Sequence, residues 1–447
     1  MARRLAACFR LAFACGAVLG SVALAAGPGP AEAVAQDPIE TARALRCFLE
    51  MKSVSERDAG RTWERPLYGP MMFVDPATRF TVANQADAEG WLTARGKVFV
   101  GWLPSEVTIA NTSTGWAGVR WTMVLWPLPA NATSRAILMA HECWHRIQYA
   151  LGLPAANSAC PHLDTLEGRY WLQLEWLALR RALLANGDAR KSAIGDALQF
   201  RACRRSLFRD AAALESALEM NEGIAEYTGV KAGCGQPGAA RRRAAEALRT
   251  ASARATFVRS FAYATGPAYG LLLDELGTSW RSGLKPDTDL GDLLGRAAGL
   301  APAEDAAARA GARAAAYDPG TLRRSEEDRE RTRLETLASY RHLLVEGPVL
   351  EIRLGKFSFS FDPNNLVPLD SLGTVYPTMT VSGEWGTLKV TKGALMAADF
   401  ETVQVSAPAA PAGSTISGDG WTLELAAGWE LRAGERPGDY VLTKKQP

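Results

Sequence analysis

The chain has 447 residues, enough for two or three domains with sizeable cores. Its 50 basic and 48 acidic side chains nearly cancel, leaving a formal charge of +2. That balance gives no electrostatic argument for a nucleic-acid partner or an anionic membrane surface, and no fixed-period repeat is visible.

At the N terminus, Arg3 and Arg4 precede an uncharged run from Leu11 to Ala26. Small-residue cleavage sites follow at Ala23-Leu24-Ala25 and Ala33-Val34-Ala35. The pattern predicts a signal peptide over residues 1–35 and a secreted or periplasmic protein. The apolar run is short for a membrane span, and Gly27-Pro28-Gly29-Pro30 breaks it, so no stable membrane insertion is expected after cleavage. An uncleaved anchor is the alternative. Removing residues 1–35 takes away Arg3, Arg4, Arg10 and Glu32, which leaves 47 basic against 47 acidic side chains. Five cysteines then remain: Cys47, Cys143, Cys160, Cys203 and Cys234. Export predicts disulfides, the odd count leaves one thiol over, and Cys143 is the candidate for it. The other four allow two bridges in three pairings.

Residues 36–130 read mainly as strands and turns. Met71–Val74 and Phe80–Asn84 flank the turn Asp75-Pro76-Ala77-Thr78, and Lys97–Trp102, Glu106–Ile109 and Gly118–Trp126 add three β-rich runs. Residues 131–346 read as helical. After Pro127 and Pro129, Asn131, Thr133 and Ser134 offer N-cap oxygens to a helix that Gly152 and Pro154 close. Apolar-periodic stretches follow at Leu166–Leu184, Ala211–Val230, Thr256–Leu276 and Glu326–Leu344, with Ala/Arg-rich helix near 238–255 and 303–316. Past Gly347-Pro348, short β runs at Val349–Leu354, Lys356–Phe361, Val375–Val381, Thr387–Val390, Val403–Val405, Trp421–Leu425 and Tyr440–Thr443 predict an all-β domain over 347–447. That domain carries no catalytic signature, and packing or substrate presentation is the expected role.

The chemistry concentrates in His141-Glu142-Cys143-Trp144-His145, an H-E-x-x-H pattern in a chain with four histidines. On a helix the two histidines stand four apart on one face and can share one metal ion, while Glu142 can act as general base. A catalytic zinc takes three protein ligands and leaves a position for water. The best third ligand lies in Asn221-Glu222-Gly223-Ile224-Ala225-Glu226-Tyr227.

H-E-x-x-H followed by N-E-G-x-A-E-Y resembles the gluzincin metallopeptidases, in particular the aminopeptidase N-like branch. The resemblance covers a few motifs within residues 135–275. It implies an α+β, zincin-like catalytic region, a mixed sheet followed by a helical lobe, here with the all-β domain appended. It implies one Zn²⁺ held by His141, His145 and Glu222, with Asn221 and Glu226 supporting the ligands. Glu226, one turn beyond Glu222, is suited to accept a ligand histidine's other N–H. Tyr263-Ala264-Thr265-Gly266 is similar to the family's Y-x-x-G, which implies that Tyr263 stabilises the oxyanion. Tyr269 is the substitute and a core tyrosine the bland reading.

Two departures qualify the resemblance. Glu222 lies 77 residues after His145, so further helices, Thr165–Ala185 among them, must intervene. The G-x-M-E-N motif that grips a free α-amine is absent, and aminopeptidase specificity does not carry over. In its place stands Gly118–Trp126, a candidate edge strand for pairing with an extended peptide.

Of the other residues, His162 and His342 read as bystanders, although His162 could assist an oxyanion. Glu167, Arg169 and Glu175 read as ion-paired rather than cleft-lining groups. Trp121, Trp126 and Trp144 suit either a cleft wall or the core. The sequence therefore predicts an exported zinc metallopeptidase with a peptide or protein substrate. A catalytically silent binding protein on the same scaffold, or a zinc hydrolase of a non-peptide amide or ester, are the alternatives.

Overall fold

The computed structural model describes residues 37–156, 158–300, 305–362 and 365–445. Residues 1–35, expected to form the export signal, lie outside that set. No described helix is long and apolar enough to cross a membrane. The architecture is mixed α and β, with a β-rich C-terminal region.

The stretch expected to be mainly strands and turns opens instead on helix α1 (Thr41–Asp58), whose buried Ala44, Cys47, Phe48, Met51 and Val54 recur at helical spacing. Six strands follow: β1 (Met71–Val74), β2 (Phe80–Ala83), β3 (Thr93–Arg95), β4 (Val98–Trp102), β5 (Thr112–Trp116) and β6 (Val119–Leu125). They form one sheet in the order β3-β4-β2-β1-β6-β5. Pairing is antiparallel throughout except between β1 and β6, which run parallel. Period-2 alternation splits the side chains between two cores: Met71, Phe73 and Val124 face the helices, while Met72, Val74, Trp121 and Met123 form a separate cluster. The run at Glu106–Ile109 is a turn and loop, not a strand. Nor is the strand around Gly118–Trp126 an edge: β6 is covered on both sides, and β5 takes the edge position.

Helix α2 (Ala132–Gln148) carries H-E-x-x-H. Asn131 caps it, accepting a hydrogen bond from the Ser134 N–H at 2.9 Å, and Gly152 at φ 74° closes the turn after it. Next come α3 (Leu166–Leu184) and α4 (Gly187–Ser206), then α5 (Ala211–Leu218), which runs through a π-helical turn at Glu219–Gly223 into α6 (Ile224–Cys234). The lobe is completed by α7 (Pro237–Ala251), α8 (Ala262–Glu275), α9 (Leu290–Ala297), α10 (Ala306–Ala314) and α11 (Thr321–Arg341).

Beyond α11, strands between Val349 and Lys444 form a seven-stranded and a five-stranded sheet whose inner residues share one apolar core. The run expected as a single strand over Val375–Val381 is broken by Pro377, and its two halves join different sheets. No disulfide forms among the described residues. Cys47, Cys143, Cys160, Cys203 and Cys234 are all free, three of the four expected to pair being enclosed in the main core and Cys234 packed against it.

Candidate metal centre

His141 and His145 project from one face of α2, as the four-residue spacing requires. Opposite them, the π-helical turn between α5 and α6 presents Glu222. Two close approaches bring these elements together. Gly229 of α6 lies so near α2 that an added Cβ would stand 2.7 Å from the Ile137 carbonyl oxygen. A Cβ on Gly266 of α8 would stand 2.2 Å from the Gly223 Cα. Only glycine permits both contacts.

Three candidate ligand atoms converge. The two Nε2 atoms are 3.2 Å apart, and Glu222 Oε2 lies 3.4 Å from that of His141 and 3.6 Å from that of His145. A tetrahedral ion with bonds of about 2.0–2.1 Å places its ligands about 3.3–3.4 Å from one another. The spacing, the two-nitrogen, one-oxygen donor set and the burial all suit such an ion.

The opposite ring nitrogens are held by acceptors. His141 Nδ1 meets Glu226 Oε2 at 2.8 Å, the role expected of Glu226. His145 Nδ1 meets Gln148 Oε1 at 2.9 Å. With a proton on each Nδ1, both Nε2 lone pairs are free to bind a metal ion beside the Glu222 carboxylate. Gln148 Nε2 donates to Asn221 Oδ1 at 2.9 Å, and Asn221 Nδ2 to Glu222 Oε1 at 3.1 Å. A closed chain thus runs from one ligand to another. Gln148 did not emerge from the sequence, though its place one turn beyond His145 on the same face was the available signal.

The charged groups of the site bear strongly on one another. Burial alone would lower the His141 pKa, but the Glu222 and Glu226 carboxylates hold it up to about 10. Burial would raise that of Glu222, but the two histidines and Tyr263 hold it well below the usual carboxylate range. Glu142 is shifted upward, chiefly by burial and against the pull of His141 and His145. Its Oε2 is buried without a hydrogen-bond partner, which leaves a carboxylate oxygen uncommitted beside the three ligands.

Tyr263 also reaches the site. Its ring stacks on His141 at a centroid separation of 5.5 Å, and its hydroxyl donates to Glu222 Oε2 at 2.7 Å. Burial and the neighbouring carboxylate push its pKa far up, so it remains a donor. Tyr269 is elsewhere: its hydroxyl donates to Glu175 Oε1 at 2.6 Å in the core, which removes it as a substitute.

The centre lies in a cleft of about 820 Å³, lined on its far side by Thr112 and Ser113 of β5 and by the loop through Thr108 and Asn111. Trp121, Trp126 and Trp144 take no part in its wall and belong to the core. His162 is buried against Glu215 at 2.8 Å, and His342 is exposed near the end of α11.

A buried ionic network stands behind the π-helical turn. Arg201 clasps Glu219 at 3.0 and 2.5 Å and also reaches Glu175 and Asp289. Arg204 clasps Glu215 through two bonds of 2.8 Å. Glu219 opens the turn that carries Glu222, so α3, α4, α5 and α9 are tied to the ligand through charge pairs. Glu175 belongs to this network and Arg169 pairs with Glu326 and Glu330, both in the interior rather than on a solvated helix face. Compared with protein-family models, with curated proteins and with solved structures, the chain matches none.

Proposed function

We propose that the protein is a zinc-dependent metallopeptidase of gluzincin type, acting outside the cytoplasm as the signal pattern in residues 1–35 suggests. One observation carries the reading. Three candidate ligand atoms, on one buried and two partly buried side chains, lie within 3.6 Å of one another beside the unpartnered carboxylate oxygen of Glu142. His141, His145 and Glu222 would hold one Zn²⁺, with Glu226, Gln148 and Asn221 orienting them. When bound, zinc supplies a Lewis acid that polarises a carbonyl and lowers the pKa of water to about 7.

The chain's own groups do the rest. Glu142 accepts the proton of the attacking water and returns it to the leaving amine, and burial favours its protonated form in the interval. Tyr263, once its hydroxyl turns from Glu222 to a substrate carbonyl oxygen, donates as negative charge builds there. Among the described residues β5 is an edge strand, and its Thr112 and Ser113 line the cleft, which suits an extended peptide and favours a peptide over another amide or ester. The mixed sheet beside α2, followed by the helical lobe, fits the zincin-like arrangement implied by the motifs.

The test is a metal count on the purified protein followed by hydrolysis of a peptide library with and without a chelator. The expected result is one zinc per chain and cleavage that the chelator abolishes. Stoichiometric zinc with no cleavage of any peptide would favour the silent binding protein.

A further inference from the structure

The charged groups lining the cleft divide into those committed to the centre and two that are not. Glu222 faces the ligand histidines, Glu226 holds His141, and Glu142 stands beside them as the proposed base. The remaining charged lining residues are Arg120 and Arg259. Arg120, on β6, is exposed, and its Nη1 donates to Ser113 Oγ at 3.1 Å, which leaves its other donors available. Arg259 precedes α8 by one turn and is 43% exposed. Its nearest acid is Glu222 Oε1 at 3.8 Å, beyond hydrogen-bond reach, and that oxygen already accepts from Asn221.

Surface arginines usually pair closely with acids; here Arg120 bonds only to a serine hydroxyl, and Arg259 approaches Glu222 at 3.8 Å without a hydrogen bond to it. Their effect is one of sign. A divalent ion against Glu142, Glu222 and Glu226 leaves one net negative charge in the cleft. The two guanidiniums turn that into one net positive charge, in walls where the field is focused and less screened than at an open surface. A guanidinium offers paired donors that fit a carboxylate in a fork geometry.

We propose, resting on the peptidase reading above, that Arg120 and Arg259 select peptides carrying a carboxylate next to the scissile bond. The carboxylate comes from an acidic side chain or from the free C terminus of the substrate. It pairs with the guanidiniums while the peptide lies along β5.

The experiment uses blocked octapeptides in which each position in turn is Glu, Gln or Lys, together with one sequence in free-acid and amidated forms. Hydrolysis by the zinc-loaded protein and equilibrium binding to zinc-loaded Glu142→Gln are both read. The expected result is a preference for Glu over Gln of about tenfold or more at one position near the cleaved bond, weakening with added salt. A preference confined to the free-acid form identifies the terminal carboxylate as the group recognised. In Arg259→Gln the Glu-to-Gln ratio should collapse toward one, and Arg120→Glu should shift the preference toward Lys. Equal binding and cleavage of Glu, Gln and Lys peptides overturns the proposal. Acid-selective binding without any cleavage upholds it and sinks hydrolysis instead, so the two failures are distinguishable.

Discussion

Each of the two proposed ligand histidines is held on its far nitrogen by a different kind of acceptor, Glu226 for His141 and Gln148 for His145. A carboxylate raises ligand basicity more than an amide does, but the amide also ties the ligand to Asn221 and so to Glu222. Gln148→Leu should therefore weaken zinc binding about 10- to 100-fold, read by competition with a chromophoric chelator, with the fold retained. An unchanged affinity would make Gln148 a mere neighbour. The cleft residues that sequence alone brought together were those fixed by spacing on one helix or by a short motif: His141, Glu142, His145, Asn221, Glu222, Glu226 and Tyr263. Gln148, Arg120 and Arg259 were not, because their roles depend on which elements face each other across the cleft.

Among the elements, the turn at Glu219–Gly223 matters most, since a π-helical turn within a helix re-aims the residue it carries. Its position is set from two sides. Arg201 grips Glu219 from behind, and Gly266 of α8 presses against Gly223 in front. Gly266→Ala puts a methyl group 2.2 Å from the Gly223 Cα, which neither backbone can absorb without moving. The expected cost is about 1–3 kcal/mol of stability, read by denaturant unfolding, together with weaker zinc binding as Glu222 shifts from Tyr263. Stability loss without a change in zinc affinity would show that the contact packs α8 and does not place the ligand. The strands β1, β2, β4 and β6 and helix α3 were legible because their apolar runs keep one period with clear ends. Helix α1 was not, since its stripe of five apolar residues is diluted by charged neighbours. Helix α4 hid for a different reason: its buried face includes Asp196, Arg201 and Arg204, and a hydrophobic pattern cannot announce a buried charge.

Across the whole molecule, that charge network joins the helices of the lobe, and it makes stability depend on pH. Burial would raise the pKa values of Asp289 and Glu215, but Arg201 and Arg205 hold the first far below the usual carboxylate range, and Arg204, His162 and Arg205 hold the second well below it. The unfolded chain protonates these groups near pH 4, before the folded one does. Their stabilisation is present above that pH and is lost as acid is added, at up to about 1.4 kcal/mol per pH unit for each group. Thermal unfolding from pH 7 to pH 3 should show the melting temperature falling below about pH 4.5, with a shallower fall in Asp289→Asn. Equal slopes would remove Asp289 from the account. Replacing Arg201 with methionine leaves Glu219 buried without its main partner, a loss of about 3–5 kcal/mol. The mixed architecture and the β-rich C-terminal region could be read from the switch of hydrophobic period near Gly347. That Cys47, Cys160, Cys203 and Cys234 are free could not, because pairing depends on which thiols the core brings together.

The central claim is that Glu142 moves the proton while His141, His145 and Glu222 hold the metal. Its most direct test compares kcat/KM on one cleaved peptide for the wild-type protein and Glu142→Gln, with zinc counted in both. The account predicts one zinc per chain in each and a rate lower by about 10²–10⁴-fold in the variant. A fully loaded Glu142→Gln protein cleaving at the wild-type rate would contradict it.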